Sequence, residues 1–159
     1  MYSSTELALK YLYYRWHASN GKGHGIHSPF IYEFVSEILN DQRLYYPFDA
    51  RENLRSSLAK DKKKILVEDY GKPSGTRAER SVADIARRAL SAGKFGRLLF
   101  RIVNHYQPKT IIELGTSLGI STAYLASPDP ETSLITLEGS AEIAGIAKEN
   151  FEKLGLRNI

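Results

Sequence analysis

Through the first hundred residues the apolar positions recur mostly at spacings of three and four. From Thr110 onward they gather into short unbroken runs separated by helical stretches. The first pattern predicts helices and the second predicts strands alternating with helices. A helix is expected from Ser4 to about Ala18. Its aromatic residues (Tyr11, Tyr13, Tyr14, Trp16) leave few polar faces, which predicts burial or a shared partner surface. "NGKGHG" (20–25) breaks it. A second helix should start at Ser28 as N-cap, with Pro29 in the first turn and Ile31, Phe34, Val35 and Ile38 on one face. A weaker third covers about Ala50–Ala59. Ile65–Glu68 reads as a short strand running into a glycine-proline loop. Val82, Ile85, Ala86 and Ala89 mark one more helix. Phe95, Leu98, Leu99, Ile102, Val103 and Tyr106 mark another, stopped by Pro108.

After Thr110 the order is strand "TIIEL", helix "GISTAYLAS", strand "SLITLE" (Ser133–Glu138) and a helix capped by Ser140. That helix should bury Ala144, Ala147, Phe151 and Leu154, expose Lys148–Glu152 and Glu149–Lys153 pairs, and end at Gly155. "NI" would open a third strand. Strand–helix–strand–helix with short loops is the unit of a parallel, doubly wound sheet. The expected fold class is therefore α/β. A helical cap region over residues 1–92 precedes the first half of a Rossmann-like domain over residues 93–159, with the sheet incomplete.

Composition narrows the function classes. The chain has 159 residues, 42% of them apolar, enough for a globular core. It has no cysteine, which excludes disulfides, thiolate nucleophiles and cysteine metal sites. No stretch approaches a membrane span and the N-terminus has no signal-peptide core, so a cytoplasmic protein is expected. Residues 1–109 carry 19 Lys/Arg and 11 Asp/Glu, and residues 110–159 carry 3 and 7. The basic part reads as solvated helix faces. "KDKKK" (60–64) is too short, and its surroundings too poor in aromatic and glycine pattern, to predict nucleic-acid binding.

The stretch "TIIELGTSLGISTAYLA" (110–126) carries the candidate chemistry. In a doubly wound sheet, ligands bind beyond the carboxyl ends of the strands. Glu113 lies near the end of the first strand, Gly115 permits the sharp turn, and Gly119 permits close approach by a helix or a ligand. The helix N-terminus that follows suits an anionic group, with Ser117, Ser121 and Thr122 as hydroxyl partners. Glu138 ends the next strand, where an acid can accept both hydroxyls of a ribose. The dinucleotide fingerprint needs a glycine where Ser117 stands. Glu113 would repel a phosphate yet can accept from an ammonium group. The pattern favours S-adenosylmethionine over a nicotinamide dinucleotide.

On these residues the chain resembles the class I S-adenosylmethionine-dependent methyltransferases. It is most similar to the O-methyltransferase branch that includes catechol and caffeoyl-CoA O-methyltransferases. Glu113, Gly115, Gly119 and Ser121 match its E-x-G-x-x-x-G-x-S motif, Glu138 its ribose acid, and Gly96-Arg97-Leu98-Leu99 its preceding helix. The resemblance spans about residues 92–159. It implies Gly115 and Ser117 beside the methionine tail, Ser121 on the tail carboxylate, Glu138 on the ribose and Glu113 under the pocket. It also implies a small-molecule methyl acceptor. The family's seven-stranded sheet and its later metal-binding and catalytic residues have no counterpart here. The chain is thus expected to be truncated, with no catalytic residue assigned and no metal expected, and possible inactivity as a fragment follows. The open edge of its first strand predicts self-association.

Two other readings stand beside this one: a nicotinamide-dependent oxidoreductase fragment, and a non-catalytic self-associating helical module. His24 and His27 lack further ligands nearby in sequence and read as loop residues, as His17 and His105 read as packing or surface groups. "EDYGKPSG" (68–75) reads as a surface loop, with a lid as the alternative.

Overall fold

The computed structural model describes residues 3–17, 26–69, 76–89 and 93–159. It divides into two compact units, Met1–Gln42 and Arg43–Ile159. His24, the 20–25 break and most of the 68–75 loop lie outside the described residues.

In the first unit, α1 (Ser4–His17) is started by a reciprocal cap. The Glu6 N–H donates to Ser3 Oγ at 3.3 Å while Glu6 Oε2 accepts the Ser3 N–H at 2.8 Å. The aromatic helix was expected to be buried or shared. It is not buried within the chain: its apolar side chains face outward, with Trp16 88% exposed, which leaves the shared surface as the remaining reading. The second helix, α2 (Pro29–Glu33), is capped by Ser28 as expected, through its Oγ and the Ile31 N–H at 3.4 Å. It then widens into a π-helical turn over Phe34–Leu39. There the Asn40 N–H reaches Val35 O at 3.1 Å, and Ser36 Oγ donates back to Tyr32 O at 2.8 Å. The wider turn rotates the face. Ile38 is buried, whereas Ile31, expected beside it, is exposed.

The second unit opens with α3 (Phe48–Leu58) and a hairpin of β1 (Lys64–Asp69) and β2 (Thr76–Ser81). The hairpin is antiparallel, pairing Ile65 with Arg80 and Val67 with Ala78. β2 is unannounced by its sequence, "TRAERS", which has no large apolar residue. Its partner β1 supplies the buried Ile65 and Val67. Next come α4 (Val82–Ala89) and α5 (Gly93–Tyr106). Phe48, Leu58, Ile65, Val67, Val82, Ile85 and Phe100 share one buried cluster with Leu118, Ile120, Tyr124, Ile143 and Ile146.

The α/β half follows: β3 (Thr110–Leu114), α6 (Ile120–Ala126), β4 (Ser133–Leu137) and α7 (Ala141–Lys153). β3 and β4 are parallel and in register, Ile112 beside Ile135 and Leu114 beside Leu137. Alternation along the strands sends Leu134 inward and leaves Ile112, Leu114, Ile135 and Leu137 exposed on the other face. The expected third strand begins as a single bond, Leu134 N–H to Asn158 O at 2.8 Å. α7 buries Ile143, Ile146, Ala147, Asn150 and Phe151, a stripe turned slightly from the expected one. Gly155 ends it in the left-handed region, φ +68°. Among the described residues no helix is long and apolar enough to cross a membrane.

Candidate functional site

The loop between β3 and α6 is anchored to the end of β4. The Gly115 and Thr116 N–H groups both donate to Leu137 O, at 2.9 and 3.1 Å. This closes the turn directly over the carboxyl ends of the two strands. Gly115 adopts φ +94° and has open space where a side chain would stand. Gly119 adopts φ +81°, and a Cβ there would strike the Phe151 ring at 2.5 Å. The first glycine therefore leaves room above the loop. The second lets α7 close on the start of α6.

Ser117 occupies the left-handed region without being glycine, at φ +49°. Its N–H donates to Glu138 Oε2 at 2.8 Å. Glu138 Oε1 accepts the Ser140 N–H at 3.0 Å, at the start of α7. Ser140 stands at the N-cap position, as expected, but its own hydroxyl makes no capping bond. Glu138 instead accepts the N–H of the cap residue itself. A carboxylate offers about four lone-pair sites. Two are used here, which leaves acceptor capacity for a ligand diol. A cavity of about 420 Å³ adjoins Glu138, lined also by Thr116, Thr136, Lys148 and Phe151.

Glu113 is a hub beneath the loop. Its Oε1 accepts Ser121 Oγ–H at 2.7 Å. Its Oε2 accepts Thr122 Oγ1–H at 2.5 Å and Thr136 Oγ1–H at 2.7 Å. Thr116 Oγ1 lies 2.6 Å from Thr136 Oγ1. The one Thr136 proton goes to Glu113, so Thr116 is the donor in that contact. One carboxylate thus joins β3, the loop, α6 and β4. The proton of Ser121 is committed as well. In this arrangement Ser121 offers lone pairs to a ligand, which suits an ammonium donor better than the tail carboxylate implied by resemblance.

A second network orients α6 from below. Tyr124, fully buried, donates its hydroxyl to Glu52 Oε1 at 2.7 Å, and Glu52 pairs with Arg55 at 2.8 Å. Burial first, and then the Glu52 hydrogen bond and charge, push the Tyr124 phenol well above its ordinary range. Burial pulls the Glu52 carboxyl upward, but the Tyr124 hydroxyl and Arg55 outweigh it and leave it below its ordinary value. Gly96 lies against the Tyr124 ring so closely that any Cβ would overlap it.

The structure therefore gathers Glu113, Gly115, Ser117, Gly119, Ser121 and Glu138 around one loop. Thr116, Thr122 and Thr136 belong to the same network. Sequence reasoning noted Thr122 only as a possible ligand group and missed the other two, because strand and loop hydroxyls carry no spacing signature. His27 is exposed. Among the described residues no group of three or more His, Asp or Glu is placed to hold a metal.

No family model matches the chain. A curated relative, the catechol O-methyltransferase of Niastella koreensis, is 38% identical over 84 residues, covering 50% of this chain and 37% of the relative. The chain thus spans well under half of that relative's length. Among solved structures, cofactor-bound Rv0187 from MTB superposes with a TM-score of 0.45 at 22% identity, covering 80% of this chain and 46% of its own. SAH-bound methyltransferase PaMTH1 of Podospora anserina gives 0.41 at 19% identity, covering 73% and 49%. The sequence match is the stronger tie. The α/β architecture is the one the sequence pattern predicts, and the curated relative that the chain is similar to is an O-methyltransferase.

Proposed function

We propose that the chain is the cofactor-binding half of an S-adenosylmethionine-dependent methyltransferase of the O-methyltransferase type. The observation that carries this is the placement of Glu138. Its carboxylate stands at the mouth of the Gly115–Gly119 loop, anchored by two backbone N–H groups and with lone pairs to spare. Those lone pairs fit the two hydroxyls of the cofactor ribose. The open space over Gly115 fits the methionine tail, and Glu113 and Ser121 present acceptors to its ammonium group.

When bound, the cofactor supplies a sulfonium-activated methyl group. The residues of this chain bind and orient it, so that the acceptor can approach in line. The acceptor is a small molecule in this reading, as the name of the curated relative suggests.

A nicotinamide dinucleotide fits less well. Pyrophosphate would need free loop amides, whereas the Ser117 N–H is given to Glu138 and the Glu113 carboxylate lies beneath. Thermal unfolding separates the two readings. S-adenosylhomocysteine should raise the midpoint and NAD should not. A rise with NAD alone would reverse the assignment.

We also propose that the chain self-associates through the exposed face of β3 and β4. A parallel sheet is ordinarily covered on both faces, and this one leaves four large aliphatic side chains in water. A second copy offers the same face in return.

A further inference from the structure

A second site lies at the other end of α6, away from the glycine loop. Arg51, on α3, is only 6% exposed. Its Nη2 donates to Ser127 Oγ at 2.7 Å, and its buried Nε has no hydrogen-bond partner. No carboxylate reaches it among the described residues. The charged or polarisable groups that bear on it are the Tyr46 and Tyr124 phenols. A buried cation without a counter-charge is strongly disfavoured.

The carboxyl end of α6 would by itself suit a cation. Its acceptors, however, are already engaged. Ser127 Oγ donates to Ala123 O, Asn158 Nδ2 donates to Ala126 O at 3.1 Å, and Tyr46 OH donates to Ser127 O at 3.2 Å. The corner is rich in donors and short of acceptors. Arg51 also lines a cavity of about 300 Å³, with Arg157 as a second cation and Tyr46, Ser127 and Asn158 around it.

We propose that this cavity binds a compact oxyanion, a phosphate or a carboxylate group, held by Arg51 and Arg157. Such a group brings several acceptor oxygens and negative charge to the corner that lacks both. The planar fork of arginine matches either oxyanion in a two-point contact. The site is independent of the cofactor loop.

The test is thermal unfolding of the full chain in inorganic phosphate against chloride, at equal pH and ionic strength, with acetate as a third arm. Arg157→Gln, at an exposed residue, keeps the fold intact, and Arg51→Met removes the buried charge. Phosphate at about ten times its Kd should raise the wild-type midpoint by roughly 3–5 °C over chloride. The shift should shrink in Arg157→Gln and vanish in Arg51→Met. An acetate shift with the same variant dependence also supports the site and marks a carboxylate as its ligand. No anion shift over chloride in the wild type, or an equal shift in wild type and Arg157→Gln, overturns it.

Discussion

Glu138 reaches across 21 residues of chain to accept the Ser117 N–H at 2.8 Å, and that bond holds a serine in the left-handed region. Left-handed backbone costs a non-glycine residue about 1–2 kcal/mol. The bond to a charged acceptor offsets a cost of that size. Glu138→Ala should therefore lower unfolding free energy by about 1–3 kcal/mol. Adding Ser117→Gly to that variant should recover about 1 kcal/mol, because glycine adopts the region freely. Urea unfolding of both variants and the wild type measures the recovery.

Gly119 in the loop and Gly155 at the end of α7 should respond differently to alanine. At Gly119 the methyl group meets both an unfavourable φ and the Phe151 ring. At Gly155 it meets an unfavourable φ and open space. Gly119→Ala should cost about 3 kcal/mol or more, and Gly155→Ala about 1–2 kcal/mol. Gly96→Ala, which overlaps the Tyr124 ring, should fall with the former. Chemical denaturation ranks the three.

Glu113→Gln tests the hub under the loop. A carboxamide offers one acceptor oxygen where three hydroxyls now donate to two. At least one hydroxyl is left facing an NH₂ group, at a cost of about 1–3 kcal/mol. Denaturant unfolding should show this loss even without any ligand.

Tyr124 makes stability depend on pH at the alkaline end. Folding raises its pKa, so its contribution is whole below the unfolded value of 10.0 and fades as pH climbs from there. Glu52 acts at the acid end. Folding lowers its pKa, so its contribution is whole above the unfolded value of 4.5 and fades as pH falls through the folded one. Urea unfolding between about pH 9 and 11 should show a decline that is flattened in Tyr124→Phe.

Leu114→Lys tests self-association. The side chain is 82% exposed, so the substitution leaves the fold intact and places a charge on the open sheet face. Light scattering should show the wild type associating with concentration and the variant remaining smaller. A monomeric wild type at high concentration would contradict the proposal.

The legible parts of this molecule are those where one residue type answers one backbone need. Ser28 and Pro29 announce the start of α2, and Gly155 announces the end of α7. Gly115 and Gly119 mark positive φ in the loop, and the switch to short apolar runs marks the parallel pair. Other features depend on partners distant in sequence. The Thr116–Thr136–Glu113 chain joins three hydroxyl or carboxyl groups that no periodicity connects. β2 forms because β1 lies beside it, not because "TRAERS" favours a strand. Gly96 follows from the Tyr124 ring packed on it, 28 residues later. α1 shows the converse limit. Aromatic residues around a helix predict burial or a shared surface, and the sequence does not say which; here they are exposed rather than buried within the chain.

Calorimetric titration of S-adenosylhomocysteine into the wild-type chain and into Glu138→Ala tests the central claim most directly. Saturable binding to the wild type, weakened at least about tenfold in the variant by loss of the ribose hydrogen bonds, is the predicted result. No binding to the wild type, or equal affinity in the two proteins, would contradict it.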